Sequence, residues 1–126
     1  MQSKYQNRLD QIKKACNVLN ADAFLVSSLV NVRYLSGFTG SNGCLLISGN
    51  KDFLFTDSRY IEQGREQTCD QITVSLSSGF SALEEVSKLY FITNVAFESD
   101  HLTYSEFIGL EKLLNPRVNL IPSKEV

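Results

Sequence analysis

Two short apolar runs, Cys44 to Ser48 (CLLIS) and Phe53 to Thr56 (FLFT), are joined through Gly49-Asn50, and this unit constrains the fold more than any other. Glycine and asparagine both tolerate the backbone of a tight turn, so the runs predict an antiparallel hairpin. Upstream lie a short helical or turn segment, Asn31 to Leu35, and a loop punctuated by Gly37, Gly40 and Gly43. Downstream, Asp57 follows the second run directly and can accept the free amides of a helix running from Ser58 to about Thr68. A hairpin held between helical segments excludes an all-helical chain and an all-strand one.

The rest of the chain repeats the alternation. Tyr5, Leu9, Ile12, Cys16 and Leu19 recur at helical spacing until Asn20, and Ala23 to Ser27 then reads as a buried strand. Ile72 to Leu76, Val95 to Glu98 and Val118 to Ile121 read as further strands. Between them, Ser81-Ala-Leu-Glu84 and Thr103-Tyr-Ser-Glu106 both fit the capping box that opens a helix. Strands alternating with helices predict a three-layer α/β/α domain with a mixed sheet of about five or six strands. The 126 residues suit one domain, and no linker or internal repeat divides them.

Charge and composition narrow the chemistry. With 12 basic and 14 acidic residues, and Lys13-Lys14 as the densest basic cluster, there is no basic face for nucleic acid. No apolar run reaches the roughly 20 residues of a membrane span, and the polar start lacks a signal-peptide core, which points to the cytoplasm. Cys16, Cys44 and Cys69 are odd in number and lack CxxC spacing, so they read as reduced thiols, with Cys44 as core packing. His101 is the only histidine and reads as an exposed loop residue, which leaves no credible Ser-His-Asp triad. Of the carboxylates Asp22, Asp57, Glu62, Glu98 and Asp100, three follow strands: Asp57, Glu98 and Asp100. Those three raise the alternative of a two-carboxylate ion site of the ribonuclease H kind, against which Asp57 is better used as a helix cap. The glycine loop leads into a strand and lacks a following Lys-Ser or Lys-Thr pair, so it meets neither phosphate-loop context. Its glycines are expected to turn at positive φ and pass close to another surface, with Tyr34 and Phe38 half buried beside it and Arg33 and Arg59 as the nearest cations.

The ordered set RYLSGFTGSNG, the strand pair, FTDSRY with IEQGREQ, and the late FESDHLTYSEFIGLEKLL resembles the amino-terminal domain of the creatinase and aminopeptidase P family, with the GFTGSNG form closest to its Xaa-Pro aminopeptidase branch. The resemblance covers the whole chain. It implies a ribonuclease H-like fold over residues 1–126 and a metallopeptidase parent that cleaves before proline in peptides. It places catalysis on two divalent ions, manganese or cobalt, held by two aspartates, a histidine and two glutamates of a separate carboxy-terminal domain that this chain lacks. The fragment alone is then expected to be inactive and to hold no metal or other cofactor. Its expected partners are its own catalytic domain, further copies in a dimer or tetramer, and proline-containing peptides, with no nucleic acid or membrane. The resemblance further makes Arg33, Tyr34, Phe38, Thr39, Ser41 and Asn42 candidates for a substrate rim or subunit interface, and Gly37, Gly40, Gly43, Asp57, Arg59 and Tyr60 structural positions. Some relatives carry an aromatic where this chain has Arg33. The rival functions are a stand-alone peptide- or protein-binding module and a metal-dependent nuclease-like domain.

Overall fold

A computed structural model describes residues 4–49, 51–69, 71–77 and 80–124. In chain order its elements are α1 (Lys4–Leu19), β1 (Ala23–Val26), α2 (Leu29–Ser36), β2 (Cys44–Ser48), β3 (Asp52–Thr56), α3 (Ile61–Gln67), β4 (Ile72–Leu76), α4 (Ser81–Leu89), β5 (Asn94–Glu98), α5 (Tyr104–Leu114) and β6 (Asn119–Ser123). The strands form one six-stranded sheet in the order β4-β3-β2-β1-β5-β6. Only β2 runs against its neighbours; the β1–β5, β3–β4 and β5–β6 pairs are parallel.

Strand parity sorts the core into two layers. Ala23, Leu25, Leu46, Phe53, Phe55, Val95 and Phe97 face α4 and α5, packing with Leu83, Val86, Leu110 and Leu114. Phe24, Val26, Leu45, Ile47, Leu54 and Ala96 face the other way, against Leu9, Ile12 and Cys16 of α1 and Val32 and Leu35 of α2. Both faces are covered, and so β1 and β2 are continuous apolar runs with every residue buried. Gly64 lets α3 lie flat on this second layer: a Cβ there would stand 3.1 Å from Leu54 and Val74. The same parity turns Asp52 inward, where it is 2% exposed and meets Lys13 at 3.2 Å. Burial outweighs Lys13 and the Ser48 amide, so the Asp52 carboxyl is held above the usual carboxylate range.

Several elements depart from the sequence expectation for local reasons. The strand read to Ser27 ends at Val26, because the Ser27 amide leaves the ladder to donate to Glu98. The helix expected over Ser58 to Thr68 is a 3₁₀ turn, Ser58–Tyr60, followed by α3. Asp57 accepts from the Arg59 amide, which tightens that first turn. The capping box at Thr103 forms with both of its bonds, at 3.1 and 2.9 Å. The one at Ser81 does not form. Ser81 is the first helical residue, Phe80 holds the cap position without a side-chain bond, and Ser77 Oγ accepts from the Ala82 amide instead. The last strand begins one residue later and ends two residues later than read, since its register with β5 runs from Asn94 opposite Asn119 to Glu98 opposite Ser123. Asn50, part of the expected turn, lies outside the described residues, while the β2–β3 hairpin it joins is present.

Candidate functional site: a pinned glycine loop beside a crevice

Because β1, β3, β4 and β5 run in one direction, their carboxyl ends share one edge of the sheet. In open α/β sheets that edge is where ligands bind. Here it holds a crevice of about 510 Å³ lined by Ser27 to Val30 before and in α2, Ser41 to Cys44, Phe55 and Thr56, Ser77 and Phe80, and His101 and Glu106. The glycine loop therefore forms part of its wall.

Every stretch of that loop is tied down. Gly37 caps α2 in the left-handed region at φ 84°, its amide donating to Arg33 O. Phe38 is not half buried, as the sequence suggested, but 1% exposed. Gly40 and Gly43 exist to admit its ring: a Cβ at Gly40 would stand 2.3 Å from Phe38 Cζ, and one at Gly43 3.1 Å from Cε2. The surface these glycines approach is thus the loop's own aromatic, and among the described glycines only Gly37 has positive φ. Thr39 is clasped by α3: its amide donates to Gln67 Oε1, while Gln63 and Gln67 Nε2 donate to Thr39 Oγ1. Ser41 Oγ and Tyr60 OH share a 2.6 Å bond, and the Tyr60 ring meets Phe38 edge-on. Asn42 Nδ2 donates to Asp57 Oδ2, and Thr56 Oγ1 donates to Asn42 O. Asp57 also pairs with Arg59 at 2.8 Å, and the Arg59 guanidinium and Asn42 amide hold its carboxyl well below the usual range.

The entrance to α2 is fixed by Glu98. Buried to 3% exposure at the end of β5, it accepts at Oε1 from the Ser27 and Ser28 amides, at 2.6 and 2.8 Å, and at Oε2 from Asn31 Nδ2. Ser28 Oγ adds the N-cap, accepting from the Asn31 amide. Beyond this anchor, Val30, Arg33 and Tyr34 share the exposed face of α2 at helical spacing. Tyr34, 53% exposed, is held from beside by Arg8 of α1, whose Cζ lies 3.9 Å from the ring and whose Nη1 donates to Tyr34 O. The Arg33 guanidinium makes no hydrogen bond or ion pair with a described residue.

The carboxylates do not assemble into an ion site. Glu98 and Asp57 spend their oxygens on the bonds above, Asp22 accepts from the Thr93 amide and hydroxyl and the Asn94 amide, and Asp100 is exposed on a turn. Among the described residues no three His, Cys, Asp or Glu side chains converge so as to hold a metal. His101 is exposed at the crevice. Sequence reasoning missed the Glu98 clamp and the Gln63–Gln67 clasp. The available signals were an acidic residue closing the apolar run Val95 to Phe97, and two glutamines four apart on a short helix.

Six mixed strands between two helical layers, with a loop-walled crevice at the carboxyl edge, define a three-layer α/β domain. The Creatinase/Prolidase N-terminal domain family model matches residues 8–126, and the chain belongs to that family. The uncharacterized peptidase YqhT of Bacillus subtilis is 30% identical over 94% of this chain and 33% of its own length. Among solved structures, the N-terminal domain of the cytoplasmic peptidase PepQ of Mycobacterium tuberculosis H37Rv superposes with a TM-score of 0.86 at 32% identity, covering 93% of this chain and 92% of that one. The X-Pro aminopeptidase of Thermotoga maritima MSB8 gives a TM-score of 0.84 at 26% identity over 93% of this chain and 33% of that one. The chain spans about a third of the length of YqhT and of two putative Xaa-Pro aminopeptidases of Mycoplasma that it matches. No helix among the described residues is long and apolar enough to cross a membrane.

Proposed function

We propose that the chain is the non-catalytic amino-terminal domain of a cytoplasmic, metal-dependent Xaa-Pro aminopeptidase, and that it restricts peptide access to the active site and helps build the oligomer. The observation that carries this reading is a cation on a braced rim without a partner among the described residues: Arg33 lies beside Tyr34 on α2, between the Glu98 anchor and a loop tied by Gln63, Gln67, Tyr60 and Asp57. Rigid presentation of a side chain that bonds to none of the described residues suits contact with a substrate or a neighbouring subunit. Glu98 and Asp57 do not fit the two ions such a parent uses, since their oxygens are already engaged, and among the described residues no three potential ligands converge. The ions are accordingly assigned to the catalytic domain, and manganese or cobalt is the expected pair.

The test is Arg33→Ala in the full-length parent. It should raise KM for an Xaa-Pro peptide with metal content unchanged, and leave kcat nearly unchanged if the contact is equal in ground and transition states. Normal kinetics and a normal oligomer would reduce Arg33 to solvated surface.

A further inference from the structure

The crevice has two unmet demands. Leu29 and Val30 line it with 40% and 78% of their surface exposed, and Ser27 Oγ is buried there without a hydrogen-bond partner. Three helices begin at this edge, and at each a side chain already takes part of the backbone amides. Glu98 takes Ser27 and Ser28 at the entrance to α2, Ser77 Oγ takes Ala82 in α4, and Thr103 Oγ1 takes Glu106 in α5. Glu106, the one carboxylate in the lining, returns its Oε1 to the Thr103 amide. With no lysine or arginine in the lining and its one carboxylate engaged, the crevice suits a neutral ligand, whose apolar body and one amide meet both demands. The volume lies in the range of pockets for small ligands.

We infer that this crevice receives one residue of an uncharged peptide segment, its apolar side chain against Leu29, Val30 and Phe80 and its amide bonded to Ser27 Oγ. This rests on the reading of the rim as a place where peptides pass, and it adds which part of the peptide the domain takes. On this reading Ser27 turns its side chain about χ1 to meet the ligand, while its backbone amide keeps the bond to Glu98.

The isolated chain is the right sample, since the matching domain of PepQ was solved by itself. Titrated with N-acetyl-leucine amide and followed by amide NMR, it should show saturable shifts at Ser27, Val30 and Gly43 with Kd on the order of 1–10 mM. N-acetyl-aspartate should give none. Ser27→Ala should weaken binding roughly 3–10-fold while the melting temperature holds or rises, because an unsatisfied hydroxyl is removed. Leu29→Ser with Val30→Ser should abolish the shifts without loss of fold, both side chains being solvated already. Absence of saturable crevice shifts at about 50 mM, equal binding of the anion, or unchanged affinity in Ser27→Ala would each overturn the inference. No turnover enters the measurement, so it is independent of whether Arg33→Ala alters the parent's kinetics.

Discussion

Replacing Glu98 by alanine and by glutamine should give very different results, although both remove the same charge. Alanine strands two backbone amides and the Asn31 side chain, which now bond at 2.6, 2.8 and 2.5 Å. Hydrogen bonds to a carboxylate are worth about 1.5–3 kcal/mol each, and they do not add fully. The Ser27–Ser28 segment is only half buried, so water can recover part of the loss. A net cost of about 3–5 kcal/mol follows, comparable with breaking a buried ion pair. For a domain of this size that is a fall in melting temperature of roughly 10–20 °C. Glutamine keeps Oε1 for both backbone amides and places Nε2 where Oε2 was. Asn31 then needs only to flip its amide, so that Oδ1 accepts. All three bonds survive with a neutral acceptor, and the cost should be about 1–2 kcal/mol. Thermal and urea unfolding of the two variants check this, with Asn31→Ala in the glutamine background removing the compensation. If glutamine were as damaging as alanine, the carboxylate would be acting by charge, and the bond accounting would be wrong.

Other substitutions test the remaining parts. Asp52, with its carboxyl raised by burial, contributes stability that is present below its unfolded value and lost as pH rises through its folded one; Lys13→Met deepens that loss. The variant should lose about 1–3 kcal/mol at pH 7 and far less at pH 3, and equal urea-midpoint losses at both would refute the pairing. Gly40→Ala must displace the buried Phe38 ring and should cost about 1–3 kcal/mol, whereas Gly109→Ala, with nothing within 4 Å in an exposed helix position, should gain about 0.5–1 kcal/mol. The opposite signs are the check, read from paired melting curves. Burial pushes the Cys44 thiol up to about 12 and, with the Asp22 charge, Cys16 up to about 11, so iodoacetamide at pH 8 should label Cys69 first. Rapid labelling of Cys44 would contradict its place in the core.

What the sequence disclosed and withheld divides along a physical line. Periodicity located α1 through Leu9, Ile12 and Cys16, and the apolar runs located β2 and β3, because burial on a face leaves a repeat that can be counted. Local chemistry was legible only where it was unopposed. Thr103 makes its box with Glu106, but the same pattern at Ser81 loses to Ser77, whose chain approaches from the preceding strand end. Phe38 was misplaced because its burial depends on two glycines later in the loop making room, a fact of packing and not of polarity. The Glu98 clamp joins residues 67 to 71 positions apart, and no window over the sequence contains both ends. For the crevice, the loop that walls it was visible, and the strand directions that bring Ser27, Ser77 and His101 to the same edge were not.

On the proposed function, the braced rim and crevice meet the peptide in the assembled parent. An Xaa-Pro tripeptide amide carrying photoleucine as its last residue, irradiated with the full-length oligomer, measures this directly. Peptide mapping should find the label between residues 27 and 43 as well as in the catalytic domain, and excess unlabelled peptide should suppress both. Label found in the catalytic domain alone, at full occupancy and with the oligomer intact, would contradict the account.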